Sequence, residues 1–257
     1  MSSKEKIRFY REYTDDFEVS PQQNKEIPDD YQFIRSKMGE KFLSGLIYSL
    51  AIIFGYTFCR LFLHTKYKNR KAFRVAKGEG AFIYGNHTQP VGDVFLPALA
   101  CFPRRIYTVV SPANLGLPVI GRILPFLGAL PLPSSLKGMK NFTSAIEKRI
   151  EDGKIVTIYP EAHVWEYCTQ IRPFSDASFK YPVKLSKPVF AMTVTYQKSR
   201  IFRRPRTTVY IDGPFYADKS LSARQQTKDL HERVYQRMLN RSRHSNYDYI
   251  KYQKTED

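Results

Sequence analysis

Gly85-Asn86-His87-Thr88-Gln89-Pro90-Val91-Gly92-Asp93 separates two apolar stretches, Ala81-Phe82-Ile83-Tyr84 before it and Val94-Phe95-Leu96 after it. A short apolar run, a loop holding Pro90 and Gly92, and a second apolar run read as strand, loop and helix. An imidazole and a carboxylate then stand at the two ends of one short loop. A carboxylate that accepts a hydrogen bond from one ring nitrogen fixes the tautomer. The other nitrogen is left to take a proton from a substrate hydroxyl. The same residues have a reading without chemistry, with Asp93 as a helix N-cap and His87 as a polar loop residue.

Outward from this loop, β-like and α-like segments alternate. Strands are expected at Ala81–Tyr84, Ile106–Val110, Ile155–Tyr159, Val189–Thr195 and Thr207–Ile211. Several are apolar almost throughout, as in a sheet covered on both faces. Met139, Phe142, Ile146 and Ile150 form a helical stripe, capped by Ser134 and Ser135 and closed by Gly153. Leu230, Val234 and Met238 form another, near the C-terminus. The expected class is α/β, a largely parallel central sheet flanked by helices, with an N-terminal membrane-associated helix. In such sheets chemistry collects at the carboxyl ends of strands. His87 follows one such end and Glu161 another.

Three segments are expected: a polar, irregular N-terminal arm at 1–41, a membrane-associated helix at 42–64, and a catalytic-type domain with a C-terminal helix at 65–257. The formal charge of +17 belongs to the part after the arm, because residues 1–41 hold 8 basic and 9 acidic side chains. A body this basic suits polyanionic partners such as an anionic bilayer, phosphorylated substrates or nucleic acid. Between Ala177 and Ile211 there are eight basic residues and no acid. No helix-turn-helix, zinc spacing or RNA-recognition signature accompanies them, so a membrane surface is expected and nucleic acid is not. The arm does not read as a secretory leader.

Phe42 to Cys59 runs without a charge, and Lys66, Lys68, Arg70, Lys71 and Arg74 follow it with no acid among them. Such a helix can span a bilayer, lie in its interface or sit in a protein core. If it spans, the basic flank puts the domain on the cytoplasmic side. Cys59, Cys101 and Cys168 are odd in number and widely spaced, which fits a reducing compartment and indicates no zinc site or disulfide framework.

The third expected strand runs out into Tyr159-Pro160-Glu161-Ala162-His163. A carboxylate there, near a His from another strand end, could bind hydroxyls or shape an acid–base site. Taken together, Asn86-His87 with a following Asp93, Tyr159-Pro160-Glu161, Pro173-Phe174 and a later strand opened by Pro188 resemble the glycerolipid acyltransferases, and within them the lysophosphatidate type. The resemblance covers roughly residues 75–200. It implies that His87 is the general base on an acceptor hydroxyl and Asp93 its orienting partner. The hydroxyl would attack an acyl thioester directly, without a covalent acyl-enzyme. Asn86 and Glu161 would help hold the substrate, and Pro188–Val194 would support the acyl-donor pocket. The implied partners are acyl-CoA or acyl-carrier protein, a lysophospholipid and an anionic membrane. Neither a metal nor an organic cofactor is implied.

The chain departs from the family pattern in three places. Five residues, Thr88 to Gly92, separate His87 from Asp93, where four are usual. The stretch Gly128-Ala129-Leu130-Pro131-Leu132-Pro133 lacks the usual phosphate-binding Arg. Gly-Thr-Arg after the Glu is replaced by Ala162-His163-Val164. Lys137 and Lys140, in the first turn of the helix capped by Ser134 and Ser135, could supply the missing phosphate contact, or they could form a solvated helix face. Arg122 and Arg172 are further candidates. The missing Arg leaves a glycolipid or other hydroxyl acceptor open, and the longer loop leaves open a non-catalytic basic membrane-binding protein of the same fold. Gly116 to Ile123 mimics a phosphate-binding loop but carries Arg122 and Ile123 where Lys and Ser/Thr are required, and no Gly-x-Ser-x-Gly occurs.

Overall fold

Strand β3 (Ala81–Gly85) lies at the centre of a seven-stranded sheet, and all five of its residues are buried. The computed structural model describes residues 6–17 and 25–255. Side chains alternate across a strand. Ala81 and Ile83 join the core on one face, with Leu96, Leu99 and Phe190, while Phe82 and Tyr84 join the core on the other, with Phe142, Ile146, Leu230 and Val234. Two buried faces explain why this strand has no polar residue in its pattern.

The other strands of this sheet are β2 (Lys66–Lys68), β4 (Ile106–Val110), β5 (Ala129–Pro131), β6 (Ile155–Ile158), β7 (Val189–Gln197) and β8 (Arg206–Phe215), in the order β2-β8-β7-β3-β6-β4-β5. Every pairing is parallel except β7 with β8. The expected largely parallel α/β sheet is present, and each of the five expected strands corresponds to one of its members. The short strands β2 and β5 were not expected. Three residues with a polar or proline-rich context carry too little pattern to stand out.

Helices α2 (Gly92–Cys101), α4 (Leu136–Glu151) and α6 (Ala223–Ser242) cover the sheet. Ser135 caps α4 by accepting the Gly138 amide at 3.0 Å. The αL residue Gly153 (φ 68°) ends it, and Phe142, Ile146 and Ile150 are buried as the stripe requires. The phosphate-loop mimic at 116–123 contributes to a short helix instead, α3 (Ile120–Leu127). A further short helix, α5 (Lys180–Leu185), precedes β7.

Helix α1 (Met38–Leu61) is long and apolar enough to cross a membrane. It starts before the expected Phe42 and ends at Leu61, and His64 already has a positive φ of 46°. One side of α1 lies along the domain. Ser44 donates to the Phe126 carbonyl, the Tyr48 hydroxyl accepts the Ile106 amide, and Cys59 is buried. At Gly55 a Cβ would overlap the Phe95 ring, so glycine permits the close approach of α1 to α2. The opposite side exposes Phe42, Leu50, Ile53 and Leu61.

The N-terminal arm corrects an expectation. Lys6–Tyr10 is a strand, β1, paired in parallel with β9 (Ile250–Lys254) in a separate two-stranded sheet. Tyr10 and Phe17 then pack on Trp165 and Tyr252. Order here comes from backbone pairing with the far end of the chain, which local sequence pattern does not report.

Candidate active site

The loop after β3 is pinned at nearly every residue. At its start, Asn86 is fully buried and uses both ends of its amide on β7: Nδ2 donates to the Val194 carbonyl at 3.0 Å, and Oδ1 accepts the Val194 amide at 2.8 Å. The His87 amide donates to Glu161 Oε2 at 3.0 Å, and the His87 carbonyl accepts the Trp165 amide at 3.0 Å. Next, Thr88 Oγ1 lies 2.7 Å from the Tyr196 hydroxyl, to which Gln89 Nε2 also donates at 3.0 Å. Such a loop loses little further entropy when a substrate is bound.

Within this frame His87 Nδ1 lies 2.7 Å from Asp93 Oδ2. Asp93 therefore reaches across the five intervening residues. The turn is drawn together by the Gln89 amide, which donates to the same Oδ2 at 2.9 Å, and by the Asp93 amide, which donates back to the Gln89 carbonyl at 3.0 Å. Asp93 is buried, while the His87 side chain keeps 20 % of its surface open. Asp93 also sits in the first turn of α2, where the helix dipole favours a negative charge. With Nδ1 held by the carboxylate, Nε2 is the nitrogen left for proton transfer.

Two tyrosines complete the setting. The Tyr159 ring stacks on His87, with centroids 4.5 Å apart and planes at 17°, and its hydroxyl donates to the Asp93 carbonyl at 2.6 Å. Gly85 makes room for it, since a Cβ there would stand 2.9 Å from the Tyr159 ring. Burial, reinforced by the negative charge of Asp93, raises the Tyr159 and Tyr196 phenols well above their ordinary pKa. Both stay protonated and act as donors or ring walls, not as bases.

His87 and Asp93 open onto a cleft of about 1040 Å³. Its walls come from α1, α2, α3, α4 and the carboxyl ends of β4 and β6, and include Ile52, Ala98, Val109, Leu124 and Phe142. The lining is mainly apolar, with a few polar side chains, as in sites for small organic ligands. Among the described residues, Lys180 is the one lysine or arginine that lines it.

The remaining site candidates are distributed otherwise than the sequence reading expected. Asn86 does not face the cleft; it ties the loop to β7. Glu161 is buried, and its carboxylate is occupied by the His87 amide, by the Arg172 amide at 3.0 Å and by Arg172 Nη2 at 3.0 Å. Arg172 is 1 % exposed, also donates to the Tyr13 and His163 carbonyls, and stacks on Trp165 at 4.7 Å. A guanidinium so enclosed offers no donor to a substrate phosphate. Lys137, Lys140 and Arg122 are exposed and lie outside the cleft lining. At the N-terminus of α4, Asp29 of the arm accepts the Ser135 hydroxyl, and its carbonyl accepts the Asn141 amide at 2.9 Å. A carboxylate of the chain itself thus sits where a substrate phosphate was expected.

The sequence reading missed Tyr159, Tyr196 and Lys180. Tyr159 had a visible signal, since it opens the Tyr-Pro-Glu stretch. Ala162 also gains an explanation. Its φ is 65°, in the left-handed region, which accounts for glycine at this place in the family pattern. Among the described residues, no group of three or more His, Cys, Asp or Glu side chains could hold a metal ion.

Residues 64–195, just over half of the chain, match the model of the family described as Acyltransferase. No curated protein matches the sequence significantly. Among solved structures, the chain is similar to the 1-acyl-sn-glycerophosphate (LPA) acyltransferase PlsC from Thermotoga maritima, at 15% identity and a TM-score of 0.57. The likeness covers 83% of this chain and 86% of that one, and at that identity it speaks for the fold.

Proposed function

The chain belongs to the acyltransferase family, and we propose that it moves a fatty acyl group from a thioester donor, acyl-CoA or acyl-carrier protein, to the free hydroxyl of lysophosphatidate at a membrane surface. The observation that carries this reading is the His87–Asp93 pair, 2.7 Å apart, opening onto a mainly apolar cleft. Nε2 of His87 takes the proton of the acceptor hydroxyl as its oxygen attacks the thioester carbonyl. The tetrahedral intermediate collapses, the carbon–sulfur bond breaks, and the imidazolium returns the proton to the departing thiolate. Asp93 stabilises the imidazolium between these events, as the carboxylate does in Ser-His-Asp triads. The cleft shields the acyl chain and the reacting carbonyl from water.

Lys180 is the cation available to a phosphate inside the cleft. Glu161 and Arg172 act through the backbone of the loop. The exposed apolar side of α1 and the basic body support association with an anionic bilayer. Because α1 is packed along the domain between Ser44 and Cys59, lying in the interface fits better than spanning. The basic flank after it and three buried free cysteines favour the cytoplasmic side. A second reading, an acceptor whose head group lacks a phosphate, draws on the same cleft, since a single lysine is thin provision for a dianion.

The test is acyl transfer by protein in mild detergent, offering both thioester donors with lysophosphatidate and with an uncharged glycolipid acceptor. Phosphatidate formed by the unmodified protein and abolished in His87→Ala is the expected result. Acylation of the glycolipid alone selects the second reading. No acylated product from any donor–acceptor combination removes both.

A further inference from the structure

The loop between β7 and β8 combines features that the cleft does not use. Lys198-Ser199-Arg200-Ile201-Phe202-Arg203-Arg204-Pro205-Arg206 holds five basic residues and no acid. All five are exposed, and so are the two apolar residues at the tip, Ile201 at 84% and Phe202 at 48%. The tip has a defined shape. Ser199 Oγ accepts the Phe202 amide at 3.0 Å, and the Lys198 amide donates to Asn246 Oδ1 at 3.0 Å. An apolar pair presented on a held turn inside a ring of arginines is costly in water and has no packing role in the core.

Its location is informative. β7 runs parallel to β3, so the loop after β7 leaves the sheet at the end where His87 lies. The Phe202 ring stacks on His64, with centroids 3.6 Å apart, and the Thr207 amide donates to the Leu63 carbonyl at 3.1 Å. The loop is thereby fastened to the chain just after α1, where Leu61 and Phe62 are exposed. The apolar side of α1 and the loop tip are contiguous through these contacts.

We propose that the β7–β8 loop is a second membrane contact, which inserts Ile201 and Phe202 among the head groups of an anionic bilayer while Arg200, Arg203, Arg204 and Arg206 engage lipid phosphates. The charge pattern selects this partner, since an apolar tip has no place against a nucleic-acid backbone, whereas a bilayer rewards both halves of the loop. The loop and α1 are two contacts, and together they hold the His87 end of the sheet against the surface. This inference rests on the membrane reading above but not on the transfer reaction.

Vesicle flotation of the full chain tests it, with phosphatidylcholine vesicles and with vesicles that also contain phosphatidylglycerol. The variants are Arg203→Glu/Arg204→Glu and Ile201→Ser/Phe202→Ser. A basic residue near an anionic surface contributes about fivefold to partitioning, so reversing two charges is expected to lower binding to the anionic vesicles by well over tenfold. The serine variant is expected to weaken binding to both vesicle types by roughly tenfold. An environment-sensitive dye on Ile201→Cys is expected to shift to the blue on anionic vesicles. Unchanged partitioning of both variants, or a dye that stays in water, overturns the proposal. Vesicle binding retained while binding to duplex DNA or RNA is lost overturns it in favour of nucleic acid. Acyl transfer in detergent is read in parallel. It is expected to persist in the variants, and its absence from the unmodified protein would count against the reaction and leave the vesicle result standing.

Discussion

Asp93 gathers two donors on one carboxylate oxygen, the His87 ring and the Gln89 amide, while its other oxygen has no hydrogen-bond partner among the described residues. Its charge, not merely its shape, is therefore what the proposed base depends on. In Asp93→Asn the ring can still be held, but the imidazolium loses its counter-ion. We expect kcat to fall by roughly two to four orders of magnitude with little change in acceptor KM, as read by steady-state kinetics. A fall in affinity with kcat preserved would reassign Asp93 to substrate binding. Glu161 separates two roles more sharply. If it acts inside the protein, Glu161→Ala leaves Arg172 buried and uncompensated. That costs about 3–5 kcal/mol and lowers the melting temperature by roughly 10 °C. If it binds the acceptor, KM rises while the melting temperature stays. The ion pair at 3.0 Å and the Arg172 surface, 1 % exposed, favour the first outcome, checked by calorimetry beside kinetics.

At the scale of elements, α1 faces two environments. Gly55 sets how closely it approaches α2, and Phe95, the residue it meets, also lines the cleft. Gly55→Leu overpacks that contact at about 1–3 kcal/mol. The expected result is a melting temperature lower by several degrees and a changed dependence on acyl-chain length. Vesicle partitioning should hold, because Phe42, Leu50 and Ile53 on the other side are untouched. Unchanged chain-length preference in an acyl-transfer series would show that α1 does not shape the donor site. The same element shows what was legible in sequence. A charge-free run announces an apolar helix, but whether it spans or lies flat depends on Ser44, Tyr48 and Gly55 touching the domain, which needs partners distant in the chain. Five of the seven strands of the sheet were legible because burial on two faces leaves apolar runs such as Ala81–Tyr84. The His87–Asp93 pair was legible because both ends belong to one loop. Glu161 and Arg172 were readable as residues and not as a pair, since the segment joining them is irregular and has no period to follow.

Over the whole molecule, the N-terminal arm and the last strand meet behind the loop that carries His87. β1 and β9 pair, and Trp165 joins them to the site. Its ring lies 4.8 Å from both Tyr10 and Tyr252, its Nε1 donates to the Asp15 carbonyl at 2.8 Å, and its amide donates to the His87 carbonyl. The arm is therefore part of the structure that holds His87, even though its composition reads as polar and irregular. Trp165→Ala removes the shared wall. A buried tryptophan cut to alanine costs about 3–5 kcal/mol, concentrated where the arm docks. Two changes should then appear together. Amides of β1 should lose hydrogen-exchange protection and residues 6–17 become open to limited proteolysis, while kcat falls through the slackened His87 carbonyl. Tyr10→Ala provides the control, because it loosens the arm and leaves Trp165 in place against Arg172, 4.7 Å away. If the arm of that variant is cleaved as readily but kcat is kept, Trp165 alone steadies the loop. If kcat falls in both, the docked arm does. Trp165→Ala with β1 still protected would mean that strand pairing with β9 suffices to hold the arm, and that the aromatic cluster serves the His87 loop only.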